Sequence, residues 1–170
     1  MESAVLVPAL GVGRLVHDLR MRYDPSAAAG IPPHVTLMFP FVPPADLTEP
    51  TIDILEKVIS GASAFQFSFV RVNQFEQGVV YLEPEPVEPF AKLTREIGRQ
   101  FGILPYGGEF GEDPVIHLTV AAGASASERQ QVANQLAGLG RSVLRADEAW
   151  LIVGTNAGGW SVVRKLRFLA

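Results

Sequence analysis

A repeated short motif constrains the fold of this chain more than any other feature. His-Val-Thr-Leu begins at His34 and His-Leu-Thr-Val begins at His117, 83 positions later in a chain of 170 residues. Each copy follows a loop that contains proline, and a stretch with apolar residues at helical spacing precedes that loop. A separation of about half the chain predicts a duplication with one histidine in each half.

The surroundings of the motif are also repeated. Four stretches with helical periodicity lie before and after the two motifs, and we expect helices along Val12–Leu19, Ile52–Ile59, Phe90–Phe101 and Val132–Leu139. Alternating or short apolar runs between them predict strands, and the last two strands are expected at about Val143–Val153 and Trp160–Phe168. The order is therefore β-α-β(His)-α-β twice, with one additional strand at the end.

This order predicts the fold class and its division. We expect an α+β fold of two pseudo-symmetric β-α-β-α-β lobes, with antiparallel-rich sheets facing a central cleft and helices on the outside. The whole chain, 1–170, is expected to form a single domain. One lobe would cover about 1–77 together with the terminal strand 159–168, and the other about 78–155.

Composition excludes several classes of function. The chain has no cysteine, which excludes disulfides, thiolate metal sites and cysteine nucleophiles. Its formal net charge is −4, which argues against a protein that binds long duplex nucleic acid through the phosphates. No apolar run reaches the ~18 residues of a membrane helix. We expect a cytoplasmic monomer without a membrane partner.

The motif itself points to acid/base chemistry. In a strand, residues two apart share a face, so His34 lies beside Thr36 and His117 beside Thr119. If the two strands face one another, two imidazoles and two hydroxyls converge. One ring can then remove a proton while the other delivers one, as phosphodiester cleavage requires, with hydroxyls binding the phosphate. This scheme requires no metal and no cofactor.

At these residues the sequence resembles the 2H phosphoesterase superfamily, which includes the 2′-5′ RNA ligase-like and RNA 2′,3′-cyclic phosphodiesterase proteins. His34-Val-Thr36-Leu and His117-Leu-Thr119-Val match its two His-x-Thr/Ser-hydrophobic motifs, and the loop Pro105 to Gly111 is similar to one that many members carry. The resemblance covers nearly the whole chain. It implies catalysis by His34 and His117, phosphate binding by Thr36 and Thr119, and a substrate that is a nucleotide or short RNA with a 2′,3′-cyclic phosphate end, or a 2′-5′ linkage.

Four further residues are candidates for the substrate pocket. The glycine-rich loop is either a plain connector or a wall of the pocket, in which Tyr106 and Phe110 stack on a base. Arg71 and Arg164 interrupt apolar faces of two hairpins, so each either reaches a phosphate in the cleft or points outward at a strand end.

Two alternative functions remain open at this stage. The same fold could serve as a non-catalytic protein that binds nucleotides or RNA ends, or as a cyclic phosphodiesterase for a small molecule that is not RNA. The sequence does not distinguish which histidine is the base, because the two motifs look alike.

Overall fold

A computed structural model describes all 170 residues. Its eight strands are β1 Glu2–Pro8, β2 His34–Met38, β3 Phe65–Gln74, β4 Val80–Glu85, β5 Leu118–Ala121, β6 Leu144–Ala146, β7 Glu148–Thr155 and β8 Gly159–Arg167. The five helices are α1 Arg14–Tyr23, α2 Pro25–Ala28, α3 Glu49–Ser60, α4 Glu88–Phe101 and α5 Ala126–Ala137. The four long helices lie where the apolar periodicity predicts them, whereas the single turn α2 falls in a segment that reads as loop.

The strands form two antiparallel four-stranded sheets. The first has the order β2-β1-β7-β8 and the second β5-β4-β3-β6. The two His-x-Thr strands therefore occupy equivalent edge positions, with β2 paired to β1 and β5 paired to β4. The α+β class and the pair of antiparallel sheets are confirmed.

The expected division of the chain between lobes does not match the sheets. β3 lies within 1–77 but pairs with β4 and β6 in the second sheet, and β7 lies within 78–155 but pairs with β1 in the first. The chain passes from one sheet to the other at Asp147. The expected strand Val143–Val153 is in fact β6 and β7, which belong to different sheets, and the Asp147 carbonyl between them accepts from the amide of Phe168. A continuous run of residues with strand propensity does not reveal a change of sheet.

Side-chain caps define where two of the long helices begin. The Thr48 side chain accepts from the amide of Thr51 at the start of α3, and Ser125 and Glu128 form a reciprocal capping box at the start of α5. Each cap satisfies amides that the first helical turn leaves without partners.

One apolar core joins the two sheets. It contains 32 buried residues drawn from both halves, and α1 packs on β5 while α4 packs on β2. Each His-x-Thr strand is thus supported by a helix from the other half of the chain. The core covers one face of each sheet and leaves the histidines on the opposite face.

Candidate active site

β2 divides its side chains between the core and the cleft. Val35 and Leu37 are almost completely buried in the core, whereas His34 and Thr36 are half-buried on the other face. His34 lies opposite Pro8 of β1, at the beginning of the strand. The alternation expected from the sequence is therefore present in the first motif.

The second motif repeats this division. Leu118 and Val120 are fully buried in the core, and Thr119 is half-buried on the opposite face, where it lies beside Tyr81 of β4. His117 immediately precedes β5 and is also half-buried. Both histidines thus lie at the point where a loop enters an edge strand.

A cavity of about 560 Å³ lies between the two motifs. Five of the sequence-predicted site residues line it: His34, His117, Thr119, Tyr106 and Phe110. Because side chains from both halves line a single cavity, the two imidazoles can act on the same ligand. The volume is within the range of small-molecule sites.

The two imidazole rings have the same hydrogen-bonding pattern. Nδ1 of His34 lies 2.8 Å from the carbonyl oxygen of Pro32, and Nδ1 of His117 lies 2.7 Å from that of Val115. A carbonyl can only accept, so Nδ1 carries the hydrogen in both rings. In the neutral ring Nε2 is then an acceptor, and after protonation it is a donor, which are the states of a base and an acid.

The environment of the cavity favours neutral rings. Burial lowers the pKa of His34 to about 4, with a further lowering by the charge of Arg20, whereas the hydrogen bond to Pro32 and the charge of Asp24 oppose this shift. Burial also lowers the pKa of His117, and the hydrogen bond to Val115 opposes this. Arg20 affects His34 and has no comparable effect on His117, so the charges around the two rings differ.

Aromatic side chains surround His117. The rings of Phe75 and Tyr81 are stacked with centroids 4.2 Å apart, and each meets the His117 ring edge-on, at 5.1 Å and 5.3 Å. Across the cavity, Tyr106 and Phe110 make an edge-to-face contact at 5.7 Å. The glycine-rich loop is therefore a wall of the cavity and not a plain connector.

Thr36 has a different position from Thr119. It shares the cleft-facing side of β2 with His34, but it is not among the residues that line the cavity. It lies next to Tyr106: burial raises the pKa of the Tyr106 phenol, and the Thr36 hydroxyl lowers it to a smaller extent. Thr36 is thus adjacent to a side chain that lines the cavity.

Arg71 and Arg164 lie outside the cavity, which corrects the expectation that they line the substrate pocket. A bulge between Phe69 and Arg71 adds one residue to β3, so that Val72 and not Arg71 continues the core-facing side. Arg71 binds Glu83, with Nε 2.7 Å from Oε2. Arg164 binds Glu49 at the start of α3, with Nη2 3.0 Å from Oε2.

Several cavity residues carry no recognisable sequence signal. Asp24, Ser26, Phe75, Gln77 and Asp113 all line the cavity. They come from the start of α2, the turn between β3 and β4, and the loop before β5, which the fold brings to one place and which periodicity does not relate to each other. No cluster of three or more His, Cys, Asp or Glu side chains in the structure is placed to hold a metal ion.

Comparison with known proteins assigns the chain to a family. The model of the 2′-5′ RNA ligase superfamily matches residues 8–158, which include both motifs. The chain belongs to this superfamily. It is therefore a member of the 2H phosphoesterases, as the two motifs predict.

Individual relatives agree with this assignment. A Bacillus cytotoxicus protein that is named provisionally as a phosphoesterase is 28% identical over 134 residues, 78% of this chain and 75% of that protein. Escherichia coli LigT, crystallised with 3′-AMP, has a TM-score of 0.62 at 15% identity over 99% of this chain and 98% of LigT. LigT structures with NADP+ and with ATP give 0.60 and 0.58 at 13% identity, with the same coverage. These structural matches concern the fold.

Proposed function

We propose that this chain is a metal-independent phosphodiesterase that hydrolyses the 2′,3′-cyclic phosphate of nucleotides or short RNA ends. The observation that carries the proposal is the pair of imidazoles on one cavity, each with Nδ1 bonded to a backbone carbonyl and Nε2 available for proton transfer. Membership in the phosphoesterase superfamily supports the reaction class.

The reaction requires two coordinated proton transfers. Water attacks phosphorus, one Nε2 removes the proton from that water, and the bond from phosphorus to one ribose oxygen breaks. The second ring, protonated at Nε2, delivers its proton to the departing oxygen. The product is a phosphate monoester, and the ring that began as base finishes with the proton.

The charges around the rings favour His34 as the base. Burial lowers its pKa to about 4, and Arg20 adds to this lowering by more than Asp24 opposes it, so His34 is neutral near pH 7. His117 would then be the acid. A bound phosphate places negative charge beside both rings and raises their pKa values, which allows one of them to hold a proton at neutral pH.

The remaining cavity residues suit a phosphorylated nucleoside. The Thr119 hydroxyl can donate to a phosphoryl oxygen. Thr36 would contribute to phosphate binding either through its hydrogen bond to Tyr106 or directly, after the Tyr106 ring moves. The rings of Phe75, Tyr106 and Phe110 offer surfaces on which a base can stack. That LigT was crystallised with 3′-AMP, NADP+ and ATP is consistent with a nucleotide ligand.

Hydrolysis of 2′,3′-cyclic AMP in the presence of EDTA tests the proposal. His34→Ala and His117→Ala should each lose at least about 100-fold in kcat, as expected when a general acid or base is removed. His17→Ala is the matched control, because His17 is an exposed histidine on α1 and does not line the cavity. Wild-type rates in both site variants would refute the assignment, and inhibition by EDTA would refute the metal-free scheme.

The choice of substrate decides between the proposal and its alternatives. Tight binding of a nucleoside 2′-phosphate without turnover of any cyclic or 2′-5′ substrate would identify a binding protein. A much higher kcat/KM for an ADP-ribose cyclic phosphate than for cyclic mononucleotides or short RNA would identify a small-molecule phosphodiesterase.

A further inference from the structure

A buried ion pair lies behind His34. Arg20 and Asp24 are 1% and 5% exposed, and they are the only charged residues in the interior of the protein. Burying two charges is unfavourable unless hydrogen bonds compensate for the lost water. A pair placed at the active cavity, and not elsewhere in the core, therefore calls for a functional explanation.

Hydrogen bonds within the pair and to Ser26 compensate for its burial. Arg20 Nε and Nη2 donate to Asp24 Oδ2 at 3.0 and 2.8 Å, and Nη2 also donates to the Ser26 hydroxyl at 3.0 Å. Asp24 Oδ1 accepts from the amide and the hydroxyl of Ser26 at 3.0 and 2.8 Å. Asp24 and Ser26 also line the cavity.

A further bond from Arg20 reaches the segment that holds His34. Nη1 donates to the carbonyl of Ile31 at 3.3 Å, and the next carbonyl, that of Pro32, accepts from Nδ1 of His34. The far end of this segment is fixed by the residue that follows β1, because the amide of Ala9 donates to the carbonyl of Pro33 at 2.7 Å. The two prolines restrict rotation between these attachments. The Pro32 carbonyl is thus held on both sides.

The second half of the chain has no equivalent arrangement. The carbonyl that orients His117 belongs to Val115, whose side chain is 50% exposed, and no other charged residue is buried. The two histidines therefore have matching hydrogen bonds but different supports.

We propose that Arg20, Asp24 and Ser26 form a positioning unit for His34, which fixes the Pro32 carbonyl and so the Nδ1–H form of the ring. The proposal rests on the proposed function, in which Nε2 of His34 must be the proton acceptor. Without the unit, the segment Ile31–Pro33 loses one attachment, and Nδ1 and Nε2 compete for the hydrogen.

The double variant Arg20→Met/Asp24→Asn tests this unit without leaving an uncompensated buried charge. Two measurements are needed on the folded variant: the nitrogen-15 spectrum of the imidazoles, and kcat and KM for 2′,3′-cyclic AMP. We expect His34 to lose its single Nδ1–H form while His117 keeps it. We also expect kcat to fall by about 10- to 100-fold, with KM changed by less than about threefold.

A matched control is present on the same helix. Arg14 and Asp18 have the same spacing, with Nε 3.5 Å from Oδ2, but their side chains are 92% and 61% exposed. Arg14→Met/Asp18→Asn should therefore leave the His34 tautomer and kcat unchanged. Arg20→Lys provides a second test, because a lysine keeps the charge but has one nitrogen in place of the three with which Arg20 binds Asp24, Ser26 and Ile31, so it should retain the fold and still disturb the tautomer.

The outcomes separate the two proposals. A folded double variant with the wild-type His34 tautomer would overturn the positioning role, whether or not kcat changed. An undisturbed tautomer in Arg20→Lys would overturn it as well. Failure of the wild-type protein to hydrolyse cyclic phosphates would refute the proposed function alone, since the tautomer measurement does not depend on turnover.

Discussion

The pH dependence of stability offers a test of the neutral state of His34 that needs no substrate. The folded protein holds the pKa of His34 at about 4, below the 6.5 of an unperturbed histidine, mainly because of burial. The unfolded chain consequently takes up a proton first as the pH falls. The contribution of His34 to stability is complete above pH 6.5 and is lost progressively as the pH drops toward 4.

The size of this effect follows from the two pKa values. Between pH 7 and pH 5, a site with values of about 6.5 and about 4 loses about 1.8 kcal/mol of unfolding free energy. The His34 ring is half-buried and borders the cavity, so water screens part of this difference. We therefore expect a measured loss of about 1 kcal/mol.

Urea unfolding of the wild type and of His34→Gln at pH 7 and pH 5, followed by tryptophan fluorescence, measures this loss. The variant should lose about 1 kcal/mol less than the wild type between these pH values, because glutamine does not titrate. His17→Gln controls for removal of an exposed histidine. If His34→Gln and the wild type lost equal stability on acidification, the reasoning that burial keeps His34 neutral would be refuted.

Three further predictions concern the cavity and its support. Phe75→Ala should raise KM for 2′,3′-cyclic AMP by about 10- to 100-fold, because base stacking on one ring is worth about 1–3 kcal/mol, and an unchanged KM would exclude Phe75 from the base site. Thr119→Val should lower kcat by at least about tenfold while Thr119→Ser retains most activity, and equal rates in the two variants would argue against phosphate binding by this hydroxyl. In urea unfolding, Arg20→Met alone should cost about 3–5 kcal/mol, since it leaves the Asp24 carboxylate buried without its partner, whereas Arg14→Met should have little effect.

The sequence predicted the elements of the fold better than their assembly. Periodicity located the four long helices, because the spacing of apolar residues is a local property of the sequence. The expected division between lobes does not follow the sheets at β3 and β7, because strand pairing depends on contacts between distant segments. No local signal marks Asp147 as the point where the chain passes from one sheet to the other.

The same distinction applies to the site. His34, His117 and Thr119 could be predicted, because a strand fixes which residues share a face. Arg71 was misplaced because one extra residue in a bulge reverses that alternation, and bulges have no strong sequence signature. Arg20 was missed because an Arg and an Asp four residues apart on a helix usually lie on a solvated face, as Arg14 and Asp18 do here.

The two imidazoles have equivalent hydrogen bonds, and these bonds alone do not determine which ring is the base and which is the acid. In each ring Nδ1 is bonded to the carbonyl two positions earlier, so the hydrogen bonds leave base and acid interchangeable. The surroundings remove this symmetry, because a buried guanidinium lies near His34 while aromatic rings contact His117. The Arg20 cation disfavours the protonated form of His34 by more than its partner Asp24 favours it, so a single proton shared by the two rings is expected to reside on His117 before attack. In the reverse of the proposed reaction the roles must exchange, so that His117 would remove the proton and His34 would deliver it.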